Sequence, residues 1–164
     1  MKTLLSLPSA RALAAVFFAF ALSIPLGGDD LLKVEGSIRP RRLAPEQEGR
    51  VVLKLSIPPD ILIIPQPYFI IEFTSVPEIA FPKTFFTASD LEMEVREDED
   101  VRYLVISVPI EIPFRVLPAA RRGSHVLEGR IRYFALSTTE GWFLKTASKF
   151  SIPFVTTSPA PRKK

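Results

Sequence analysis

The 164 residues suffice for about one domain with a real core, and the composition, 47% hydrophobic against 24% charged, is that of a packed globule. Of the 21 basic groups, Lys2 and Arg11 fall in an N-terminal leader, which leaves 19 against 18 acidic groups and excludes the clustered surplus that nucleic-acid binding needs. There is no cysteine and only one histidine, so disulfides, thiolate metal sites, catalytic cysteine and a lipidated cysteine are excluded, and zinc or haem ligation has almost no raw material.

Residues 1–28 read as a signal peptide. Lys2 and Arg11 supply the positive flank, and Ala12–Leu22 is an apolar run too short to span a bilayer. Cleavage is compatible with Ala21-Leu22-Ser23 or with Ala19-Phe20-Ala21, and an uncleaved N-terminal anchor is the alternative. Either way the expected address is periplasmic or secreted, with membrane contact only through an uncleaved leader.

Sixteen prolines beside seven glycines point to punctuated strands, because proline is expelled from helix interiors and central strands. Leu32–Ile38 is a short first strand, and Arg39–Gly49 a polar connection whose Arg39, Arg41 and Arg42 form a solvated loop or a phosphate contact. In Arg50–Ile57, Val51, Leu53, Leu55 and Ile57 share one face while Lys54 and Ser56 take the other, the period-2 pattern of a half-buried strand. Ile61–Pro67 is an extended edge or crossing segment, Tyr68–Thr74 a buried strand, and Val76–Phe86 an irregular loop placing Phe81, Phe85 and Phe86 in or over the core.

Leu91–Arg96 alternates again, with Leu91, Met93 and Val95 expected inward. Glu97–Asp100 is an acidic hairpin turn lacking the glycine and spaced oxygen ligands of a calcium loop. Arg102–Phe114 is one long strand in which Pro109 and Pro113 mark an edge or bulge. Val126–Leu136, the turn Ser137–Gly141 and Trp142–Val155 form a strand–turn–strand unit, with Lys145, Ser148 and Lys149 interrupting the apolar face of the second strand. Thr156–Lys164 is a basic tail with too little apolar content to fold. The expected fold is therefore all-β, an antiparallel β-sandwich of about seven to nine strands over residues 29–155.

The C-terminal third carries a more specific pattern. Gly123, then His125-Val126-Leu127-Glu128-Gly129-Arg130-Ile131-Arg132-Tyr133, a short turn, and Lys149-Phe150-Ser151-Ile152-Pro153-Phe154 resemble the N-terminal domain of the thiol:disulfide interchange protein DsbD and related disulfide bond corrector domains. The resemblance implies an immunoglobulin-like sandwich facing the bacterial periplasm. In that family a hairpin of the form G-x-(I/L)-x-Y-x-x-C, with a second cysteine after the turn, relays electrons between protein partners. Three residues on from Tyr133 the first cysteine position is Leu136, and the second is Phe143. Thiol–disulfide exchange needs a thiolate attacking sulfur, so this chain is expected to be a relative without redox chemistry, with no cofactor and a protein partner in the cell envelope.

Phe134, Leu136, Trp142 and Phe143 are the candidate docking residues, either as an exposed apolar patch or packed beneath the aromatic segment Phe81–Phe86. An envelope docking or chaperone subunit of a thiol-disulfide or cytochrome-maturation pathway is the alternative function. A Ser-His-Asp triad from His125, Ser124 or Ser137, and Asp90 has no G-x-S-x-G elbow to support it. Glu92 and Glu94 share the solvent side of one expected strand and read as surface charge.

Overall fold

The computed structural model describes residues 31–66 and 68–158, so the leader and most of the tail lie outside the described residues. In chain order the strands are β1 (Lys33–Arg39), β2 (Arg42–Leu43), β3 (Glu48–Ser56), β4 (Ile61–Ile64), β5 (Ile70–Phe73) and β6 (Ile79–Ala80), followed by β7 (Phe85–Thr87), β8 (Val95–Asp98), β9 (Val101–Leu104), β10 (Ile110–Val116), β11 (Gly123–Ser137) and β12 (Phe143–Thr156). One sheet runs β1-β3-β10-β6; the other runs β2-β12-β11-β5-β7, with β4 also pairing β11. All pairings are antiparallel except β2 beside β12. This is the expected all-β sandwich, on the two-sheet plan of immunoglobulin-like domains.

Alternation makes the core. Val51, Leu53, Ile112 and Phe114 of the first sheet are buried, as are Leu127, Ile131, Ile152 and Phe154 of the second. Their neighbours in sequence, such as Lys54, Glu111, Glu128 and Pro153, are exposed. Tyr133 and Ser148 are the polar pair inside this layer: the Tyr133 hydroxyl lies 3.1 Å from Ser148 Oγ, so Ser148 is buried where the sequence reading treats it as a break in the apolar face.

Three expectations are corrected. Leu91–Arg96 is not an alternating strand: residues 91–94 are turn and irregular chain, and the strand there is β8, exposed along its whole length. Arg102–Phe114 is two strands. β9 pairs only with β8 in a two-stranded flap, whereas β10 belongs to the first sheet, and residues 105–109 separate them. Pro113 sits where β10 faces β3 on one side and lies beyond the reach of the short β6 on the other, so its missing N–H breaks no ladder. The segment Val76–Phe86 is less irregular than expected, since it contains β6 and the start of β7.

Two further strand details follow from local chemistry. Asp98 pairs with Val101, leaving Glu99 and Asp100 as a two-residue turn with φ of 46° and 66°. Two positive φ values in succession are the type I′ geometry that matches strand twist. Within the polar connection, β2 adds a short parallel pairing of Arg42 and Leu43 to the far end of β12, which runs through Thr156.

Candidate functional site

β11 and β12 pair without interruption from Gly123↔Thr156 to Leu136↔Phe143, so this hairpin is the spine of its sheet. At its turn end, Ser137 N donates to Trp142 O at 3.0 Å. Ser137 and Trp142 are thus joined by a ladder bond, and the next pair, Leu136 and Phe143, is a non-hydrogen-bonded one. In such pairs the Cα atoms approach to about 4.5 Å and the side chains are at their closest. Leu136 and Phe143, the positions that the resemblance equates with cysteines, therefore face each other directly across adjacent strands.

The outer face around this pair is aromatic. Phe143 is 56% exposed and its ring stacks on Phe134 at 4.7 Å, with the planes 10° apart. Tyr68 packs against Phe134 in a tilted contact at 5.5 Å, and Lys145 Nζ sits 4.4 Å above the Tyr68 ring. Leu144, on the opposite face of the strand, is exposed as well. Leu136 is half-buried, flanked by Leu62 of β4 in the ladder, and it lines a cleft of about 380 Å³ with Val101 and Tyr103 of the flap.

Trp142 is partly buried against the core, and its Nε1 donates to Glu140 at 2.7 Å. The candidate docking residues thus divide: Phe134 and Phe143 form one surface, Leu136 lies at its flap-side margin, and Trp142 anchors the turn. None of the four packs beneath the aromatic segment. That segment builds a separate cluster, in which Phe73 stacks on Phe81 at 4.3 Å and Phe86, Phe114 and Phe150 join edge-on or tilted. Within it Phe86 is buried, while Phe85 points out at 49% exposure, contrary to a core position for all three phenylalanines.

Away from the aromatic end, the same outer face becomes charged. Glu72 of β5 accepts from Arg130 Nε at 2.7 Å and Arg132 Nη2 at 2.6 Å. The Arg130 hydrogen bond, aided by attraction to both guanidinium groups, holds the Glu72 carboxyl below its ordinary value although partial burial opposes it. One carboxylate serves two cations here, and Lys149 stands across the ladder from Arg130.

The single histidine lies at the opposite end of the hairpin. His125 Nε2 is 2.8 Å from Thr156 Oγ1 and 3.0 Å from Arg121 O, and its Nδ1 is 3.7 Å from Glu78 Oε2. Glu78 is buried at 2% exposure and also takes Arg121 Nε at 3.3 Å. Ser124, Ser137 and Asp90 make none of these contacts; Asp90 is held instead by Lys83 and Thr87. The imagined triad is not assembled. A carboxylate–imidazole–hydroxyl series does exist, but Thr156 is 1% exposed, so no substrate reaches its oxygen, and the group acts as a buried strut between Arg121, β6 and β12. Local sequence carries no signal for it, because Glu78 and His125 are 47 positions apart. Among the described residues, no group of three or more His, Asp or Glu side chains is placed to hold a metal ion.

No family model matches the chain, and no curated protein matches it. Among solved structures it is similar to the type I cohesin in a Clostridium thermocellum Coh-OlpA cohesin–dockerin complex, at 14% identity over 78% of this chain and 100% of that one, with a TM-score of 0.41. It is also similar to BcpA, the major pilin subunit of Bacillus cereus, at 11% identity over 76% of this chain and 39% of that one, with a TM-score of 0.36. Murine CRIg gives 5% identity, 77% and 98% coverage and a TM-score of 0.30. Similarity this distant assigns neither an activity nor a partner.

Proposed function

We propose that this chain is an exported, non-catalytic protein-docking module, a redox-inactive relative of the DsbD N-terminal-type domains. The observation that carries the reading is the direct pairing of Leu136 with Phe143 at an open hairpin end. Two residues at the family's cysteine positions occupy a close cross-strand pair, yet both are apolar and one is 56% exposed on an aromatic surface. Solvated stacked aromatics of this kind are the side chains that protein interfaces favour. Without a thiol the site transfers no electrons, so what remains is recognition. The register match also favours the narrower version, in which the module docks within a thiol-disulfide or cytochrome-maturation pathway beside a cysteine-bearing partner.

The test is affinity capture from a bacterial envelope extract with the tagged full chain and its Phe143→Ser variant. The reading expects a captured set that Phe143→Ser loses, and the narrower version expects thioredoxin-like or DsbD-type membrane proteins in that set. Identical capture by the two chains would overturn the docking surface.

A further inference from the structure

Among the described residues, the outer edge of β12 has no strand paired to it next to the aromatic surface. On that side the only ladder partner of β12 among the described residues is β2, at Val155 and Thr156. β1, from the other sheet, runs beside the middle of β12. Leu32 N reaches Tyr133 Oη, which also meets Ser148 Oγ, and a Cβ on Gly36 would stand 2.5 Å from Ile152 Cδ1. Among the described residues no strand pairs with the outer side of Phe143–Ala147.

Ladder parity says which peptide groups point outward. Since Leu136 and Phe143 form a non-hydrogen-bonded pair, the N–H and C=O of Phe143 face away from β11, as do those of Lys145 and Ala147. The far end of the strand has the same phase: Thr157 N, also an odd position, donates outward to Leu43 O at 2.8 Å. Three donors and three acceptors thus line an edge of the sort that accepts an added strand.

The side chains select what can be added. Phe143 offers an apolar surface, and Lys145, two residues on, a cation on the same outer face. Lys149 continues the row, beside it Arg130 and Arg132 share the carboxylate of Glu72, and further carboxylates lie at Glu128 in the same cleft and at Asp100 of the flap near Phe143. A second copy of this chain is disfavoured, because the antiparallel register that pairs all five residues sets Lys145 against its own counterpart, and like charges directly opposite are destabilising. The basic segment Arg162–Lys164 is disfavoured by the same repulsion.

We propose that this edge binds an extended segment of another protein by strand addition, the segment alternating apolar and acidic side chains on its outward face. The apolar side chain lies against Phe143 and Phe134, and the acidic one meets Lys145. The inference rests on the docking reading above and names the class of its partner.

The test uses the full chain with two synthetic probes, a hexapeptide of sequence threonine-valine-threonine-glutamate-threonine-valine, which carries valine, glutamate and valine along one face of a strand, and its counterpart with lysine in place of glutamate. Binding is followed by the fluorescence of Trp142, the sole tryptophan, and by residue-resolved amide exchange. The expected result is binding of the acidic peptide alone, slower exchange at Phe143, Lys145 and Ala147, and a roughly five- to tenfold weaker complex in Lys145→Glu. Equal binding of both peptides, or protection elsewhere, overturns the proposal. Slow exchange of those three amides in the peptide-free chain also overturns it, since the edge is then already covered by residues 1–30 or by a second copy. If Phe143→Ser abolishes envelope capture but neither peptide binds, strand addition fails while the docking surface stands; peptide binding with unchanged capture has the opposite meaning.

Discussion

The hydroxyl of Tyr133 accepts a hydrogen bond from the backbone N–H of Leu32, 3.1 Å away and 101 positions earlier in the chain. It ties the entry of β1, in one sheet, to the centre of β11 in the other, and Ser148 Oγ completes the buried group at 3.1 Å. Tyr133→Phe keeps the ring and deletes the oxygen, leaving a buried N–H and a buried hydroxyl without it. The expected loss is about 1–3 kcal/mol, and thermal unfolding of wild type and variant reads it. An unchanged melting temperature would show that the link contributes nothing.

The pairing of Leu136 with Phe143 has a covalent consequence. A non-hydrogen-bonded pair brings Cα atoms to about 4.5 Å, within the roughly 4.4–6.8 Å range of bridged cysteines. The double variant Leu136→Cys/Phe143→Cys is expected to form an intramolecular disulfide on mild oxidation. Thiol titration and mass measurement decide it: two persistently free thiols would mean that the register at the hairpin end is wrong.

Gly129 is there because nothing larger fits. A Cβ at this position would stand 2.4 Å from Phe150 Cζ and 2.9 Å from the backbone oxygen of Glu72. The ring can turn, but the strand backbone cannot retreat without loosening the β5–β11 ladder. Gly129→Ala should therefore cost about 1–3 kcal/mol, seen as a lower denaturant midpoint, and a neutral result would contradict this packing.

Asp90 makes stability depend on pH at the acid end. The hydrogen bond from Lys83 Nζ, followed by those from Thr87 N and Thr87 Oγ1, each 2.9 Å, holds its pKa down to about 2 from an ordinary 3.8. Because the folded value is the lower one, the contribution is present above about pH 4 and is lost as pH falls toward 2. Melting temperatures across that window should drop more steeply for wild type than for Asp90→Asn. Parallel curves would count against the Lys83–Asp90–Thr87 group as their source.

The same physics explains what could be read in advance. Val51, Leu53, Leu127, Ile131, Ile152 and Phe154 betray themselves because a half-buried strand must alternate, and a fifteen-residue strand such as β11 repeats the pattern many times. Leu91 and Met93 mimic that pattern without being in a strand, since two half-buried side chains in irregular chain also sit two positions apart. The β8–β9 flap has no alternation to find on β8, whose residues are all exposed. The division of Arg102–Phe114 leaves no mark in the local pattern because both halves are good strands, and only the sandwich sends one to the flap and the other between β3 and β6.

The all-β class, the strand–turn–strand unit of the C-terminal third and the absence of thiols follow from local period and residue identity, whereas the placement of Leu136 against Phe143 is implied only by the resemblance to DsbD-type domains. Tertiary structure alone decided that Phe143 is exposed while Phe86 is buried, that Glu78 meets His125, and that among the described residues no strand pairs with the outer side of Phe143–Ala147. These are relations between segments far apart in the chain, and no local pattern encodes which strand will lie beside another or stop short of covering it.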